Sequence, residues 1–367
     1  MVNFKKFVKC IVGSTLVFGL VGCGGADQNV EEVADAKEEF GNDVLNVYNW
    51  GEYISEEAIP TFEKMYNCKV NYDLFESNEI MYTKLLGGNS YDVLVPSDYM
   101  IERLIKEDML QKLDLDAIPN LKEINPQVLN MRKTYDPTGE YSVPYFWGSV
   151  GIVYNKDVVD PAVIEEKGWD ILHDSTYEGR VFGYDSQRDM FMIALKALGY
   201  SMNTEDPKEL EEAYNWLLEM NEKIKPAYVT DEVIDGMANG DMDMAIMYSG
   251  DAAYVLSENP QMAWIEPSQG TNLWSDGMVV PKNASNPKLA MAFINFMASY
   301  EESYANSETV GYTASNLQAM EELAKTDYDD NAAYVPRSGY DLDEVFMFNE
   351  KVNKEQAEMW TKVKMSN

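Results

Sequence analysis

The sequence predicts an α/β protein of two lobes, each a mainly parallel sheet flanked by helices. Three observations carry that expectation. Strand and helix patterns alternate from about residue 44 onward, several strand candidates are apolar almost throughout, and 367 residues suffice for two ordinary domains.

In chain order, VLNVYN (44–49) alternates as a strand. A helix is expected from Ser55 to about Tyr66, with Pro60 an obstacle unless the helix starts late. KVNYDLF (69–75) reads as the second strand and Asn78 to Leu86 as the second helix, capped by Ser77 and ended by Gly87. YDVLVP (91–96) follows as a nearly all-apolar strand. The alternation resumes after YSVPYFWGSVGIVYNKD, which is strand-like across 141–155. Helices are expected at Arg188–Leu198, before Gly199, and at Asp206–Lys223, where Pro207 takes the favoured first position. Leu210, Ala213, Leu217 and Met220 recur there at helical spacing as a buried stripe. MDMAIMYSG and SDGMVVP are further apolar strands, and Asn286-Pro287 opens a helix containing Leu289, Phe293 and Phe296. Sheets wound in this way bind ligands beyond the carboxyl ends of their strands.

The first 22 residues carry Lys5, Lys6 and Lys9 and then the apolar run Ile11 to Leu20. That is the pattern of a signal peptide, too short for a comfortable membrane span. Leu20-Val21-Gly22-Cys23 resembles a bacterial lipobox, so Cys23 is expected to become a lipid-bearing N-terminus that anchors the chain to a membrane. An ordinary secretory signal cut elsewhere is the alternative. Residues 23–43, rich in Asp and Glu and short of large apolar groups, read as a disordered acidic tether.

The formal net charge is −34, from 29 basic and 63 acidic residues. Such a field repels nucleic acid and steers cations inward, so no nucleic-acid partner is expected. Of three cysteines, Cys10 leaves with the signal and Cys23 takes lipid, which leaves Cys68 alone as a small buried hydrophobe and no intramolecular disulfide. The single histidine, His173, is a surface or packing residue and cannot supply a two-histidine metal site. Neither phosphate-loop nor dinucleotide glycine pattern is present, and no cofactor or metal is expected. A glycosidase needs only two carboxylates, and that alternative stays open on composition.

What remains is a set of aromatic and acidic clusters just after strand patterns. They are Trp50 with Glu52 and Tyr53, Ser97 with Asp98 and Tyr99, Tyr248 with Ser249 and Asp251, and Trp274 with Asp276. Asp189 opens a helix, and Tyr312 sits in VGYTASN. Two aromatic faces beside a carboxylate suit a cation. For each cluster alone, ordinary packing of strand-end aromatics is the preferred reading. Recurrence at four strand ends, which converge on one crevice in a doubly wound sheet, favours a binding site.

YNWGEY, DLFESNEIMYTKLLGG, YDVLVPSDYM, VPYFWGSVGIVYN and ETVGYTASN together resemble the polyamine-binding proteins of spermidine/putrescine ABC transporters, in order from about Leu45 to about Lys364. The resemblance implies a two-lobed periplasmic-binding-protein-like fold of type II with the ligand cleft between lobes. Residues 45–148 with 276–320 would form one lobe and 149–275 with 321–367 the other. It also implies a monomer without catalytic activity, a putrescine or spermidine ligand, and an ABC permease with its ATPase as partners.

Residue by residue, Trp50, Glu52 and Tyr53 match the family's first ligand-contacting segment and Ser97 and Tyr99 its second. Asp189 stands where the family has an acid. Tyr248 replaces a frequent tryptophan, and Asp251 stands where putrescine-selective relatives carry an aspartate. Trp274 and Asp276 match residues that flank an amine, and Tyr312 a ring near the hinge. Gly51 departs from a small hydroxyl residue. Ser186 stands where spermidine binders carry a second acid, which favours the shorter diamine unless Asp185 or Glu52 serves a third charge. Binding of another small cation or a sugar is the alternative, although Glu52, Asp189, Asp251 and Asp276 argue against a sugar.

Overall fold

The computed structural model describes residues 34–366, so Cys23 and the signal-like segment lie outside the described residues. The chain is folded from Ala34 onward, earlier than the tether expectation allows. Helix α1 (Ala36–Phe40) is capped by Asp35, whose Oδ1 accepts from the N–H groups of Lys37 and Glu38, and Ala36 is fully buried. The other oxygen of Asp35 accepts from the Asn67 amide at 2.9 Å, which pins the acidic segment to the fold.

Strand β1 (Val44–Trp50) leads to α2 (Ala58–Tyr66). That helix begins three residues later than its pattern suggests, which puts Pro60 in the first turn, where a missing N–H breaks no helical bond. β2 (Lys69–Phe75) and α3 (Asn78–Leu86) follow as expected, with Ser77 Oγ accepting from the Ile80 N–H. In the apolar run after α3 only β3 (Val93–Leu94) pairs as strand, and α4 (Asp98–Lys106) begins directly beyond it.

After α5 (Pro126–Arg132) comes the longest strand, β4 (Ser142–Asn155), buried at every residue but its last. α6 (Pro161–Lys167), β5 (Val181–Tyr184), α7 (Gln187–Ala197), α8 (Pro207–Ile224), β6 (Ala227–Val229), α9 (Glu232–Asn239), β7 (Met244–Tyr248) and α10 (Ser249–Glu258) then alternate. β8 (Met262–Ile265), β9 (Leu273–Val279), α11 (Pro287–Met297), α12 (Tyr300–Val310), β10 (Thr313–Ala314), α13 (Leu317–Leu323) and α14 (Glu350–Met365) complete the described chain.

Eight strands form one path, β2-β1-β3-β9-β4-β7-β5-β6, with β8 and β10 also paired to β4, so the two halves of the sheet are joined through that strand. Outer strands are parallel, as the βαβ order requires: β1 lies parallel to β2 and β3, and β5 to β6 and β7. The middle is antiparallel. β4 pairs with β9 from Ser142 opposite Val279 to Ser149 opposite Leu273, and then with β7 from Val150 opposite Tyr248 to Tyr154 opposite Met244. One strand thus belongs to both halves, and its partner changes between Ser149 and Val150. The apolar composition of β4 is what burial on both faces demands.

A candidate ligand site at the strand ends

Three tyrosine–aspartate pairs stand close to that change of partner. Tyr53, in the turn after β1, donates its hydroxyl to Asp276 Oδ2 on β9 at 2.6 Å. Tyr312, just before β10, donates to Asp251 Oδ1 in the first turn of α10 at 3.0 Å. Tyr248, the last residue of β7, donates to Asp189 Oδ2 in the first turn of α7 at 2.9 Å.

The rings of these pairs form a row. Tyr53 meets Tyr312 edge-on at 5.7 Å, Tyr312 meets Trp274 at 5.3 Å, and Trp274 meets Tyr248 at 6.0 Å. Tyr184 extends it, 5.1 Å from Tyr248. The sequence reading missed Tyr184, although it closes β5 ahead of Asp185 and so shows the same aromatic-then-acid signal. Trp274 is anchored by its indole N–H to the Ser149 carbonyl at 3.3 Å, directly at the change of partner on β4.

Burial pushes the carboxyl of Asp276 up to about 6. It pushes Asp251 up to about 7, with Asp231 adding repulsion. Asp189 is raised by burial as well, and its Oδ1 is enclosed without any hydrogen-bond partner. Asp98, which the sequence grouped with Ser97, is pushed up to about 8 by burial and by the neighbouring Asp276 charge. Buried carboxylates with so few hydrogen bonds are costly as anions, and a cation beside them relieves that cost.

Other predicted residues are placed differently. Trp50, half-buried, packs on Phe75 at 4.5 Å and donates its indole N–H to the Val95 carbonyl at 2.9 Å, outside the row of ring contacts. Glu52 is exposed, has a φ of 52°, and shares no hydrogen bond with the row. Ser97 Oγ accepts from the Asn78 amide at 3.1 Å, and its backbone bridges to Asp276. Ser186 caps α7, accepting from the Asp189 N–H at 3.4 Å. Tyr99 bonds to Asn78 and Glu79 through its hydroxyl, and its ring face carries the Arg188 guanidinium at 3.6 Å. Asp185 is held by Lys364 at 2.8 Å and by the Trp360 indole at 3.2 Å, which keeps it from standing in for an acid at Ser186.

His173 stacks on Trp216 at 4.2 Å, as a packing residue does. Cys68 is half-buried against the core, and burial pushes its thiol up to about 11. A surface hollow of about 670 Å³ lined by Ser175, Glu178, Asn215, Glu219 and Lys223 borders α8 and contains none of the row.

Gly250 is required by close approach. An added Cβ would lie 1.4 Å from Tyr312 Cδ1, so Gly250→Ala forces the ring away from Asp251. The expected result is a loss of about 1–3 kcal/mol of stability in denaturant unfolding, together with weaker ligand binding.

The model of the bacterial extracellular solute-binding protein family matches residues 57–335. The chain belongs to that family. This solute-binding protein is 35% identical over 295 residues to the spermidine/putrescine-binding periplasmic protein of Escherichia coli, covering 80% of this chain and 83% of the relative. It is 32% identical over 382 residues to the putrescine-binding periplasmic protein SpuD of Pseudomonas aeruginosa, covering 98% and 99%. Among solved structures, the spermidine/putrescine ABC transporter substrate-binding protein of Streptococcus pneumoniae superposes with a TM-score of 0.77 at 36% identity, over 89% of this chain and 99% of that one. A lipoprotein of Treponema pallidum gives 0.75 at 28% identity, over 88% and 99%. The fold of this solute-binding protein is therefore the two-lobed periplasmic type, with helices flanking each part of the sheet. No described helix is long and apolar enough to cross a membrane.

Proposed function

We propose that this solute-binding protein captures a polyamine, putrescine or spermidine, outside the cytoplasm and delivers it to an ABC permease driven by its ATPase. The observation that carries the reading is the row itself: three Tyr–Asp pairs along a continuous aromatic wall, with one buried carboxylate oxygen unpartnered. Methylenes of a polyamine lie against ring faces, while ammonium groups take the carboxylates. Each desolvated cation–π contact contributes about 0.5–2 kcal/mol. Each hydrogen bond to a charged partner contributes about 1.5–3 kcal/mol. A few of each offset the ligand's lost freedom and reach roughly micromolar affinity, about −8 kcal/mol. The names of the relatives in Escherichia coli and Pseudomonas aeruginosa support the same ligand class.

The reading includes two lobes, 45–148 with 276–320 and 149–275 with 321–367, that close on the ligand, and the change of partner on β4 supports a boundary beside Ser149. It needs no catalytic step and takes the protein as a monomer. Sugar binding is disfavoured, since a sugar site employs neutral donors where this row has acids. Calorimetry of the chain lacking residues 1–23 tests the whole. Micromolar binding of putrescine or spermidine with none of a sugar panel is expected, and the reverse pattern would overturn the assignment.

Anchoring through Cys23 belongs to the same proposal. Palmitate labelling is expected for the parent and lost in Cys23→Ala, with release from the membrane fraction. Labelling that persists in the variant would remove the anchor.

Ser186 bears on ligand choice. Aspartate caps a helix as well as serine does, so Ser186→Asp keeps α7 while adding a charge next to Asp189. The putrescine-to-spermidine affinity ratio is expected to fall in competition titrations, because an added negative charge beside Asp189 favours the ligand with the greater positive charge. An unmoved or higher ratio would show that charge at this position does not set selectivity.

A further inference from the structure

The row offers three ring-and-acid seats for a cation, and another ring, that of Tyr99 in the first turn of α4, is already filled. Tyr99 has no aspartate on its hydroxyl. Its face instead carries the guanidinium of Arg188, centred 3.6 Å from the ring, the residue just ahead of Asp189. The guanidinium is fixed from several sides: Glu79 Oε1 lies at 3.8 Å, Asn353 Oδ1 at 3.4 Å, and the Phe346 ring at 5.7 Å. Asn353 is in turn held by the Gln187 amide at 2.7 Å. An arginine stays charged under any condition the protein meets, so this cation is permanent.

We infer that Arg188 is a specificity-determining residue that occupies the fourth cation seat and so limits the site to ligands with at most three ammonium groups. The inference rests on the polyamine reading above and deepens it. A tetra-amine such as spermine, placed with three ammonium groups on the Tyr–Asp pairs, brings its last charge toward Arg188 on a ring face that is no longer free. Like charges at a few ångströms in a partly desolvated site repel, which disfavours the longer chain without touching the shorter ones. The field of Arg188 reaches the acids as well, since it lowers the carboxyls of Asp98 and Asp189 against the rise caused by burial.

The experiment is titration calorimetry with spermidine and spermine on the parent, Arg188→Gln and Arg188→Lys. The parent is expected to prefer spermidine. Arg188→Gln removes the charge and is expected to improve spermine relative to spermidine by roughly tenfold, while Arg188→Lys keeps the charge and the parental ratio. An equal loss of both affinities in Arg188→Gln, with the ratio unmoved, would show that Arg188 only ties α7 to Tyr99 and would overturn the inference. A parent that prefers spermine would overturn it too. A parent that binds no polyamine defeats the functional reading itself, a result distinct from either.

Discussion

Asp276→Asn is expected to weaken polyamine binding by about 1.5–3 kcal/mol, roughly ten- to a hundredfold in dissociation constant. The amide preserves shape, and Tyr53 still has an oxygen to donate to, so the loss reports the charge rather than a collapsed wall. The same change is expected to stabilise the unliganded protein, because a buried carboxylate with no cation of its own is replaced by a neutral group. Thermal unfolding without ligand and calorimetry with it therefore move in opposite directions. Trp274→Ala removes the ring that joins Tyr312 to Tyr248 and is expected to weaken binding as well. If both variants bind as the parent does, the ligand lies elsewhere.

Binding is also expected to release protons and to tighten as pH rises. Burial raises Asp276, Asp251 and Asp98 to about 6, 7 and 8, so part of their population is protonated near neutrality. An ammonium placed on a carboxylate favours the ionised form and expels that proton. Affinity then rises by up to about tenfold per pH unit for each participating acid below its raised value, and levels off above pH 8. The contribution of the same three acids to folding stability runs the other way. Folded values above the unfolded one mean that these three acids hold more protons in the native state between about pH 4 and 8, so their contribution to stability is greatest at the acidic end and is lost as pH rises through that window. Calorimetry in buffers of different ionisation enthalpy measures the released protons directly. A pH-independent affinity between 5.5 and 8 would mean that these acids do not meet the ligand.

Much of this arrangement is legible in the residues. The aromatic and acid clusters, with Asp189 and Tyr312, name every member of the three Tyr–Asp pairs. Tyr53, Tyr248 and Asp251 do lie at or just beyond the ends of the parallel strands β1 and β7, whereas Trp274 and Asp276 lie within the antiparallel β9 and Tyr312 comes just before β10. Which way a side chain turns beyond the strand is a different matter. In YNWGEY the left-handed conformation of Glu52 swings its carboxylate outward while Tyr53 turns in, and Trp50 keeps the strand's own direction and packs on Phe75. The antiparallel middle of the sheet joins segments far apart in sequence, which local alternation does not register. The cation on Tyr99 escaped attention because a search for carboxylates and rings does not count arginines. The fold of the acidic stretch was visible locally, in Asp35 as cap and Gly41 as terminator, but was outweighed by composition.

The sharing of β4 also sets an order of assembly. Its residues find their partners in 244–248, 262–265, 273–279 and 313–314, all of them made later. Neither half of the sheet has its central strand seated until most of the chain exists, and long loops must close before those contacts form. A chain built in this way gains its native core late and all at once, with no early N-terminal domain to fold alone. For a member of an extracellular solute-binding family, that delay is expected to keep the chain loose over the interval in which it is carried across the membrane.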